Sequence, residues 1–463
     1  MRLGRAFEES AGVRYDDIVS VKDANTKTEP YMVRTVLLST CIWRPTGPEW
    51  AEVSGMTKWN ARYHDFHKRH SLIDKVWSTA NLEQAWKRVR ANRGAPGIDG
   101  VSVDIFEKDL DKHLRTIQRQ LRNGSYAPAP VKRVYIPKKG GKMRPLGIPT
   151  VKDRVVQQAL RQVLEPIFEE TFASESYGYR PNRGALDAVE KVRMHIQEYG
   201  CPAVADLDIQ AFFDNVDHEI LLDLVNEKVS DGKVLMLIRR FLESGVMEEG
   251  RFEEVMLGTP QGGVISPLLA NIYLNHLDRR LGAEGFVFIR YADDVVIFGK
   301  RMKDARRGLD FAREVLERDL RLRLNEEKTY VFRVCKTRGL EYLGYHVFLK
   351  QVKPAAASLA RFKDRVRFLT RRQQGRKVET VIGRLNPLVR GWGNYYRNTT
   401  VKKVYWDLDT WIQMRIRAYL KKRWWWTDIE RIPTDEILAM GLETLESVMK
   451  IPRPLLWRGP AGP

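Results

Sequence analysis

The sequence predicts an α+β fold, and two patterns of apolar residues support that prediction. Short segments rich in β-branched and aromatic residues recur along the chain and are bounded by turn-forming residues, at 131–135, 202–208, 286–298 and 341–346. Other, longer stretches carry apolar residues at helical spacing, such as 153–172 and 305–318. A chain of 463 residues is long enough for two or three domains.

The charge balance indicates the class of partner. The chain has 79 Lys and Arg against 59 Asp and Glu, a net charge of +20, which favours nucleic acid first and an anionic membrane surface second. The sequence contains no apolar run of about 18 residues, so no membrane span is predicted. The N-terminus lacks the pattern of a secretory signal. Cys41, Cys201 and Cys335 are too far apart in sequence to suggest a zinc site or a disulfide framework, so a cytoplasmic protein is predicted.

The first part of the chain is the least informative. Residues 1–70 form an N-terminal extension to which the sequence assigns no function. Helical spacing then predicts one helix over 71–89 and a second over 103–121, separated by a glycine-rich loop at 93–100.

A strongly basic segment follows at 122–154, with nine Lys or Arg and one acid, Asp153. Alternating residues from Val131 predict a strand, and Gly140-Gly141 predicts a hairpin turn. A basic hairpin can hold a triphosphate or a nucleic-acid backbone. An isolated charge run is more often a solvated surface, but the one-sided charge favours binding here.

The segment 286–298 predicts two short strands joined by a tight turn, with the carboxylates of Asp293 and Asp294 at its tip. Adjacent carboxylates repel each other, and a hard divalent cation such as Mg²⁺, which prefers oxygen ligands, relieves that repulsion. The alternative is a solvated Asp-Asp turn. Asp208, at the end of an earlier predicted strand, is a candidate third ligand, although a strand-end Asp is often only a cap.

A Gly- and Pro-rich loop carrying Gln261 leads into an apolar helix within 258–275. Glycine lets such a loop bring its backbone close to a nucleotide.

The C-terminal part is basic and aromatic. Residues 351–430 contain 19 Lys or Arg and six acids, a net charge of +13, interleaved with aromatic residues such as Trp392, Tyr396 and Trp411. This composition suits phosphate contacts combined with base stacking. For each aromatic residue taken singly, a place in the core of a helical bundle is the favoured interpretation.

Six motifs, in this order, resemble those of bacterial group II intron-encoded reverse transcriptases: the basic hairpin with Ile136-Pro-Lys138, Arg144-Pro-Leu-Gly-Ile-Pro149, Asp208 with Phe213-Asp214, Thr259-Pro-Gln-Gly-Gly-Val-Ile-Ser-Pro267, Tyr291-Ala-Asp-Asp294 and Tyr342-Leu-Gly-Tyr345. The segment Gly391-Trp-Gly-Asn-Tyr-Tyr396 resembles the maturase, or thumb, domain of the same proteins. The resemblance implies fingers and palm over 71–350, a thumb or maturase domain over 351–426 and a short segment over 427–463. That last segment has no Cys and no His, unlike an HNH endonuclease, so the resemblance is to endonuclease-lacking members.

The resemblance implies a right-hand polymerase fold with fingers, an antiparallel palm and a helical thumb. It implies that Asp208, Asp293 and Asp294 are catalytic and that, with Ile209, they hold two Mg²⁺ ions, for which Mn²⁺ is a possible substitute. One metal would lower the pKa of a primer 3′-OH and the other would stabilise the pyrophosphate leaving group. The reaction implied is in-line attack on the α-phosphate of an incoming dNTP.

Further site residues follow from the same resemblance. Lys138 and Arg144 would hold the triphosphate, Gln261 would line the nucleotide pocket, and Phe213 would be a steric gate against a ribose 2′-OH. The implied RNA-binding residues are Arg93, Gly94, Lys132, Arg133, Arg361, Arg371 and Arg372.

The favoured function is an RNA-directed DNA polymerase that also assists splicing of an intron RNA and supports intron mobility, with RNA template, DNA primer and dNTPs as partners. Two alternatives remain open from the sequence. One is a non-catalytic RNA-binding splicing cofactor, and the other is a host-serving reverse transcriptase in DNA repair or phage defence. The presence of all the candidate catalytic residues argues against the first alternative.

Overall fold

The computed structural model describes residues 68–137, 143–248, 251–253, 257–258, 262–421 and 432–450. Lys138, Gln261, nearly all of the N-terminal extension and the final residues 451–463 lie outside this range, as does the side chain of Arg144. Among the helices described, none is both long enough and apolar enough to cross a membrane.

The first described elements are helices that lead into a hairpin. Their bounds are α1 (Ile73–Val76), α2 (Thr79–Asn92), α3 (Val103–Lys108), α4 (Leu110–Arg122), β1 (Val131–Pro137), β2 (Met143–Ile148) and α5 (Val151–Glu169). The single helices predicted over 71–89 and 103–121 are therefore each divided in two. Between α1 and α2 the reason is Ser78, whose hydroxyl accepts a hydrogen bond from the Asn81 amide and so begins a new helix.

The middle of the chain alternates helices with short strands. Their bounds are α6 (Ala185–Gln197), β3 (Ala203–Asp208), α7 (His218–Asn226), α8 (Gly232–Leu242), β4 (Val246–Glu248), β5 (Arg251–Glu253), α9 (Ser266–Ala283), β6 (Val287–Tyr291), β7 (Asp294–Gly299), α10 (Met302–Glu314) and β8 (Tyr330–Arg333). Asp231 N-caps α8 with one carboxylate oxygen. Its other oxygen accepts from the amides of Leu72 and Ile73, so the start of α1 is fixed beside α8.

Two four-stranded sheets organise this region. In the central sheet, β6, β7, β3 and β8 lie side by side and are all antiparallel. The second sheet has the order β2, β1, β4, β5, and β1 runs parallel to β4. The hairpins predicted around 131–148 and 286–298 are thus present, one in each sheet.

The central sheet separates two hydrophobic cores. Because successive side chains of a strand point to opposite faces, Val295 and Ile297 of β7 lie in the first core, while Val296 and Phe298 lie in the second. The first core is shared with α2, α4, α5, α9 and α10, and the second with α6 and the C-terminal helices. A sheet buried on both faces places the strand ends, rather than the faces, at the surface.

The C-terminal part is a small sheet followed by helices. Their bounds are β9 (Leu340–Tyr342), β10 (Tyr345–Val347), β11 (Val352–Pro354), α11 (Ala356–Leu369), α12 (Val378–Tyr395), α13 (Lys403–Lys421), α14 (Thr434–Ala439) and α15 (Leu445–Lys450). Trp392, Tyr396 and Tyr405 are all buried in the second core, as the core interpretation of the aromatic residues requires. Trp406 is different, since it is 54% exposed.

The turn between β9 and β10 is held by α12. Leu343 and Gly344 form this two-residue turn and have positive φ values of 47° and 78°, which suits the tight turn of a β-hairpin. The Tyr395 hydroxyl donates to the Leu343 carbonyl at 2.8 Å, and the Tyr345 hydroxyl donates in return to the Tyr395 carbonyl. These reciprocal hydrogen bonds join the end of α12 to the turn.

Candidate active site

Two neighbouring strands bring the candidate catalytic carboxylates together. β3 and β7 pair so that Asp208 lies directly opposite Asp294. Tyr291 pairs with Asp294 across the β6–β7 hairpin, which leaves Ala292 and Asp293 as its two-residue turn. Ala292 has a φ of 55°, a left-handed conformation that non-glycine residues rarely adopt. Asp293 therefore projects from a tight, strained turn at one end of the central sheet.

The electrostatics of this end of the sheet are those of crowded carboxylates. Burial raises the pKa of Asp294 well above its usual range, and the neighbouring charges of Asp293, Asp206 and Asp208 raise it further. Burial and the charge of Asp208 raise the pKa of Asp206 to about 7. The neighbouring carboxylates contribute to both shifts because like charges at short range disfavour the charged form.

Asp208 is also fixed through its backbone. Its carbonyl accepts a hydrogen bond from the Asn325 amide at 2.8 Å, and Ile209 forms a bridge to Leu324. The Lys328 ammonium lies 3.6 Å from the Asp208 carboxylate. Sequence analysis did not select Lys328, whose Asn-Glu-Glu-Lys setting resembles an ordinary solvated turn.

This donor set fits a hard divalent cation. Within the part of the chain that the structure describes, no group of three or more His, Cys, Asp or Glu side chains forms a complete metal site. Sites for Mg²⁺, however, usually take one or two carboxylates and complete the shell with water and substrate phosphates. Asp208 and Asp293 provide such carboxylates, and a cation beside them would relieve the repulsion that raises the pKa of Asp294.

Phe213 lies beside the base of the loop that carries Gln261. A Cβ atom added to Gly258 would lie 2.7 Å from the Phe213 carbonyl oxygen and 3.0 Å from Asp214, so only glycine fits this contact. The Gly258 amide donates to the Val216 carbonyl at 2.8 Å, and Nε2 of His218 lies 2.7 Å from the Gly258 carbonyl. The Phe213 side chain itself is half-buried.

The far end of the same loop contacts the second sheet. A Cβ atom on Gly262 would lie 2.5 Å from the carbonyl oxygen of Gly147 in β2. The Gln157 side chain accepts from the Val264 amide at 2.7 Å and so orients the start of α9. Gly258 and Gly262 therefore lie against Phe213 and against the strand that contains Arg144, respectively.

Comparison with known proteins identifies the family. Residues 136–347 match the reverse transcriptase (RNA-dependent DNA polymerase) family, and residues 359–433 match the maturase-specific domain of group II introns. The chain is 34% identical over 309 residues to protein YkfC of Escherichia coli, covering 58% of this chain and 81% of that protein. The chain belongs to the group II intron reverse transcriptase and maturase family.

Two further relatives carry descriptive names. The group II intron-encoded protein LtrA of Lactococcus lactis is 40% identical over 196 residues, which cover 42% of this chain and 32% of LtrA. Nuclear intron maturase 4 of Arabidopsis thaliana, a mitochondrial protein, is 31% identical over 218 residues, covering 46% of this chain and 25% of that protein. The chain spans about a third or less of these two relatives.

The family fixes the fold and the class of reaction. This reverse transcriptase has the right-hand polymerase fold, and its helical C-terminal region carries the maturase domain, as the sequence predicted. It is an RNA-directed DNA polymerase by family, and reverse transcriptases use divalent metal ions. Its domains imply an RNA template, intron RNA and a DNA substrate as the classes of partner.

The β1–β2 hairpin carries three of the predicted binding residues of this reverse transcriptase, and their surroundings differ. Arg144 pairs with Ile136 across the β1–β2 hairpin. Lys132 is exposed. Arg133 has its Nε 3.7 Å from a Glu248 carboxylate oxygen in β4, so part of its charge is matched within the second sheet.

The glycine-rich loop at 93–100, which carries the predicted RNA-binding residues Arg93 and Gly94, packs closely on the end of β2. Arg93 is exposed and ends α2 with a left-handed φ of 41°. The buried Arg154 donates to the carbonyls of Pro149, at 3.1 Å, and of Ala95, so its guanidinium joins the loop to the end of β2. A Cβ atom at Gly94 would overlap Nη1 of Arg154, so a larger residue would require that guanidinium to shift.

The predicted maturase residues lie on and after α11. Arg361 is half-buried and donates to the Ser358 hydroxyl at 3.3 Å. Arg371 is exposed and its guanidinium lies 4.9 Å from the ring centre of Phe368, itself 50% exposed. Arg372 is half-buried. Exposed cations beside an exposed aromatic ring form a surface suited to phosphates and bases.

Sequence analysis missed the residues that support this site. Arg290, Asp278 and Asn271 are buried and bonded to one another behind the Asp293 turn. The available signal was the charged residues inside otherwise apolar segments, Asp278 in α9 and Arg290 in β6, since such residues are rarely buried unless they are paired.

Proposed function

We propose that Asp208, Asp293 and Asp294 form the catalytic centre of this reverse transcriptase and, with Ile209, bind two Mg²⁺ ions, which Mn²⁺ can replace. The observation that carries this proposal is the register that sets Asp208 opposite Asp294 at the end of the central sheet. When bound, the metal ions would lower the pKa of the primer 3′-OH and stabilise the negative charge on the leaving group.

The surrounding residues would orient the two substrates. The 3′-oxygen of the primer attacks the α-phosphate of the dNTP in line, a new phosphodiester bond forms, and pyrophosphate leaves. Phe213, next to the Gly258 turn, would exclude a ribose 2′-OH by contact with the sugar. Gln261 would border the same pocket, and Lys138 and Arg144 would hold the triphosphate, with the planar guanidinium favoured for bidentate contacts.

We also propose a division of labour along the chain. Residues 71–350 would form the fingers and palm, residues 351–426 would form the thumb that holds intron RNA during splicing, and residues 427–463 would form a short C-terminal segment. The exposed Arg371 and Phe368 pair supports RNA contacts by the second part. The remaining proposed RNA contacts are Arg93, Gly94, Lys132, Arg133, Arg361 and Arg372.

A second candidate function is splicing assistance without polymerisation. The specific observation in its favour is the net charge of +13 over residues 351–430, because a basic helical surface can bind folded RNA independently of catalysis.

Primer extension tests the proposal. Purified protein is incubated with an RNA template, an annealed DNA primer, Mg²⁺ and dNTPs, beside the Asp293→Ala variant. Templated extension by wild type alone is expected. Extension that persists in Asp293→Ala would refute the site. A lack of extension by wild type, together with tight RNA binding that weakens steeply with salt, would favour the splicing cofactor.

A further inference from the structure

A buried network lies behind the turn that presents Asp293. Arg290 of β6 and Asp278 of α9 are both fully buried, and Arg290 Nε lies 2.8 Å and 3.0 Å from the two carboxylate oxygens of Asp278. The Arg290 Nη1 donates to the Asn271 side-chain oxygen and to the Ala292 carbonyl, both at 3.0 Å. The guanidinium therefore links α9 to the peptide that precedes Asp293.

The segment around Gly178 also packs against the turn. The Asn271 side-chain amide donates to the Gly178 carbonyl at 2.8 Å. A Cβ atom on Gly178 would overlap the backbone nitrogen of Ala292, so this segment packs directly on the turn. The Tyr177 amide donates to the Arg290 carbonyl at 2.9 Å and continues the contact along β6.

The chemistry of the guanidinium explains why this position holds arginine. A planar fork with five N–H donors can bind a carboxylate in two places and still donate to a carbonyl in a fixed direction, whereas an ammonium cannot. A buried ion pair is in general no more stabilising than an apolar pair of similar volume. Unlike an apolar pair, the Arg290–Asp278 pair also holds a hydrogen-bond donor in a fixed orientation toward the Ala292 carbonyl.

Two residues of the network lie on α9, the helix that follows the loop carrying Gln261. Asn271 and Asp278 are seven residues apart on α9 and so lie on one face of it. The same helix begins where Gln157 holds the Val264 amide, beside Gly262 and the second sheet. The same helix thus follows the loop proposed to border the dNTP and is linked through Arg290 to the turn that carries Asp293.

We propose that Arg290, through Asp278 and Asn271, is a positioning residue that sets the direction of Asp293 and thereby the affinity of the site for its divalent metal. This inference rests on the proposed role of Asp293 as a metal ligand. Residues that orient metal ligands without touching the metal typically change metal affinity or activity by about 10- to 100-fold when substituted.

The test uses the full-length chain in complex with RNA template and DNA primer. Arg290→Lys keeps the charge and loses the fork. The double variant Arg290→Met with Asp278→Leu replaces the ion pair by apolar bulk. Arg240→Lys is the matched control, because Arg240 is half-buried and donates to the carbonyls of Gly124 and Tyr126 in a different part of the molecule.

Three quantities are measured for each variant: Mn²⁺ binding to the complex by electron paramagnetic resonance, the Mg²⁺ concentration that gives half-maximal extension, and the midpoint of thermal unfolding. We expect Arg290→Lys to weaken Mn²⁺ binding and to raise the half-saturating Mg²⁺ concentration by about tenfold or more. The double variant should behave likewise even where its unfolding midpoint approaches that of wild type. Arg240→Lys should match wild type in both metal measurements.

The positioning role would be overturned if folded Arg290→Lys bound metal as tightly as wild type. It would also be overturned if the double variant had both the metal affinity and the unfolding midpoint of wild type. If the double variant does not fold, Arg290→Lys decides alone. Failure of the underlying proposal looks different, since Asp293→Ala would then bind Mn²⁺ as wild type does. If Asp293→Ala loses metal and Arg290→Lys does not, only the positioning inference fails.

Discussion

At the scale of single residues, the proposed role of Phe213 as a gate against a ribose 2′-OH can be tested directly. Replacing it with valine removes the ring that would meet a ribose 2′-OH, so we expect Phe213→Val to raise ribonucleotide use relative to deoxyribonucleotide use by about 10- to 100-fold. The measurement is the ratio of kcat/KM for an rNTP to that for the matching dNTP. An unchanged ratio in an active variant would remove Phe213 from the role of gate.

Gly258 gives a second residue-scale prediction. It has a φ of 94°, and an added Cβ atom would meet the Phe213 carbonyl at 2.7 Å. We expect Gly258→Ala to cost about 1–3 kcal/mol of unfolding free energy through backbone strain and to raise the KM for dNTPs. The control is Gly383→Ala in α12, where nothing lies within 4 Å of the added atom. There we expect a gain of about 0.5–1 kcal/mol, since alanine favours helix. Equal changes in the free energy of unfolding for the two substitutions, measured in urea, would contradict the claim that only glycine fits at position 258.

The turn that carries the candidate catalytic carboxylates was predictable from sequence, and the buried residues behind it were not. The strand pattern around Asp293 and Asp294 ends in a turn. Asp293 does lie in that turn, whereas Asp294 is the first residue of β7. Arg290 and Asp278 acquire their roles only through a contact between β6 and α9. Local patterns cannot report such a contact, and an arginine next to a turn is usually solvated.

At the scale of elements, the hydrogen bond between Tyr395 and the β9–β10 turn can be tested alone. Tyr395→Phe keeps the ring and removes the donor to the Leu343 carbonyl. We expect a loss of about 1 kcal/mol in urea unfolding, because the buried carbonyl loses its partner. Tyr199→Phe is the control, since Tyr199 is 49% exposed. A loss of equal size in both variants would show that the contact with Leu343 is not special.

Element type was easier to predict than element extent. Long amphipathic segments gave α5 and α10 close to their observed positions, because burial of one face dominates such helices. The division between α1 and α2 depends on a single cap, Ser78, which the apolar pattern does not reveal. β4, β5 and β11 have three residues each, too few for alternation to appear.

At the scale of the whole molecule, the palm and the C-terminal helices share the second core. Val296 and Phe298 of the central sheet are buried with residues of α11, α12 and α13. A fragment that ends at Pro354 would expose this apolar face to water. We expect the fragment to bind a hydrophobic dye and to aggregate, whereas the full chain stays monodisperse in the same buffer. A well-folded, monodisperse fragment without dye binding would mean that the first core suffices.

The same two-sided sheet has a consequence during synthesis. The ribosome completes β7 at Gly299, but α15, which closes the second core, ends at Lys450. At typical translation rates the interval is on the order of ten seconds, and during it the second-core face of the sheet is covered by α6 but not yet by all of the C-terminal helices. The part of this face that those helices cover in the finished protein is exposed to water until they emerge.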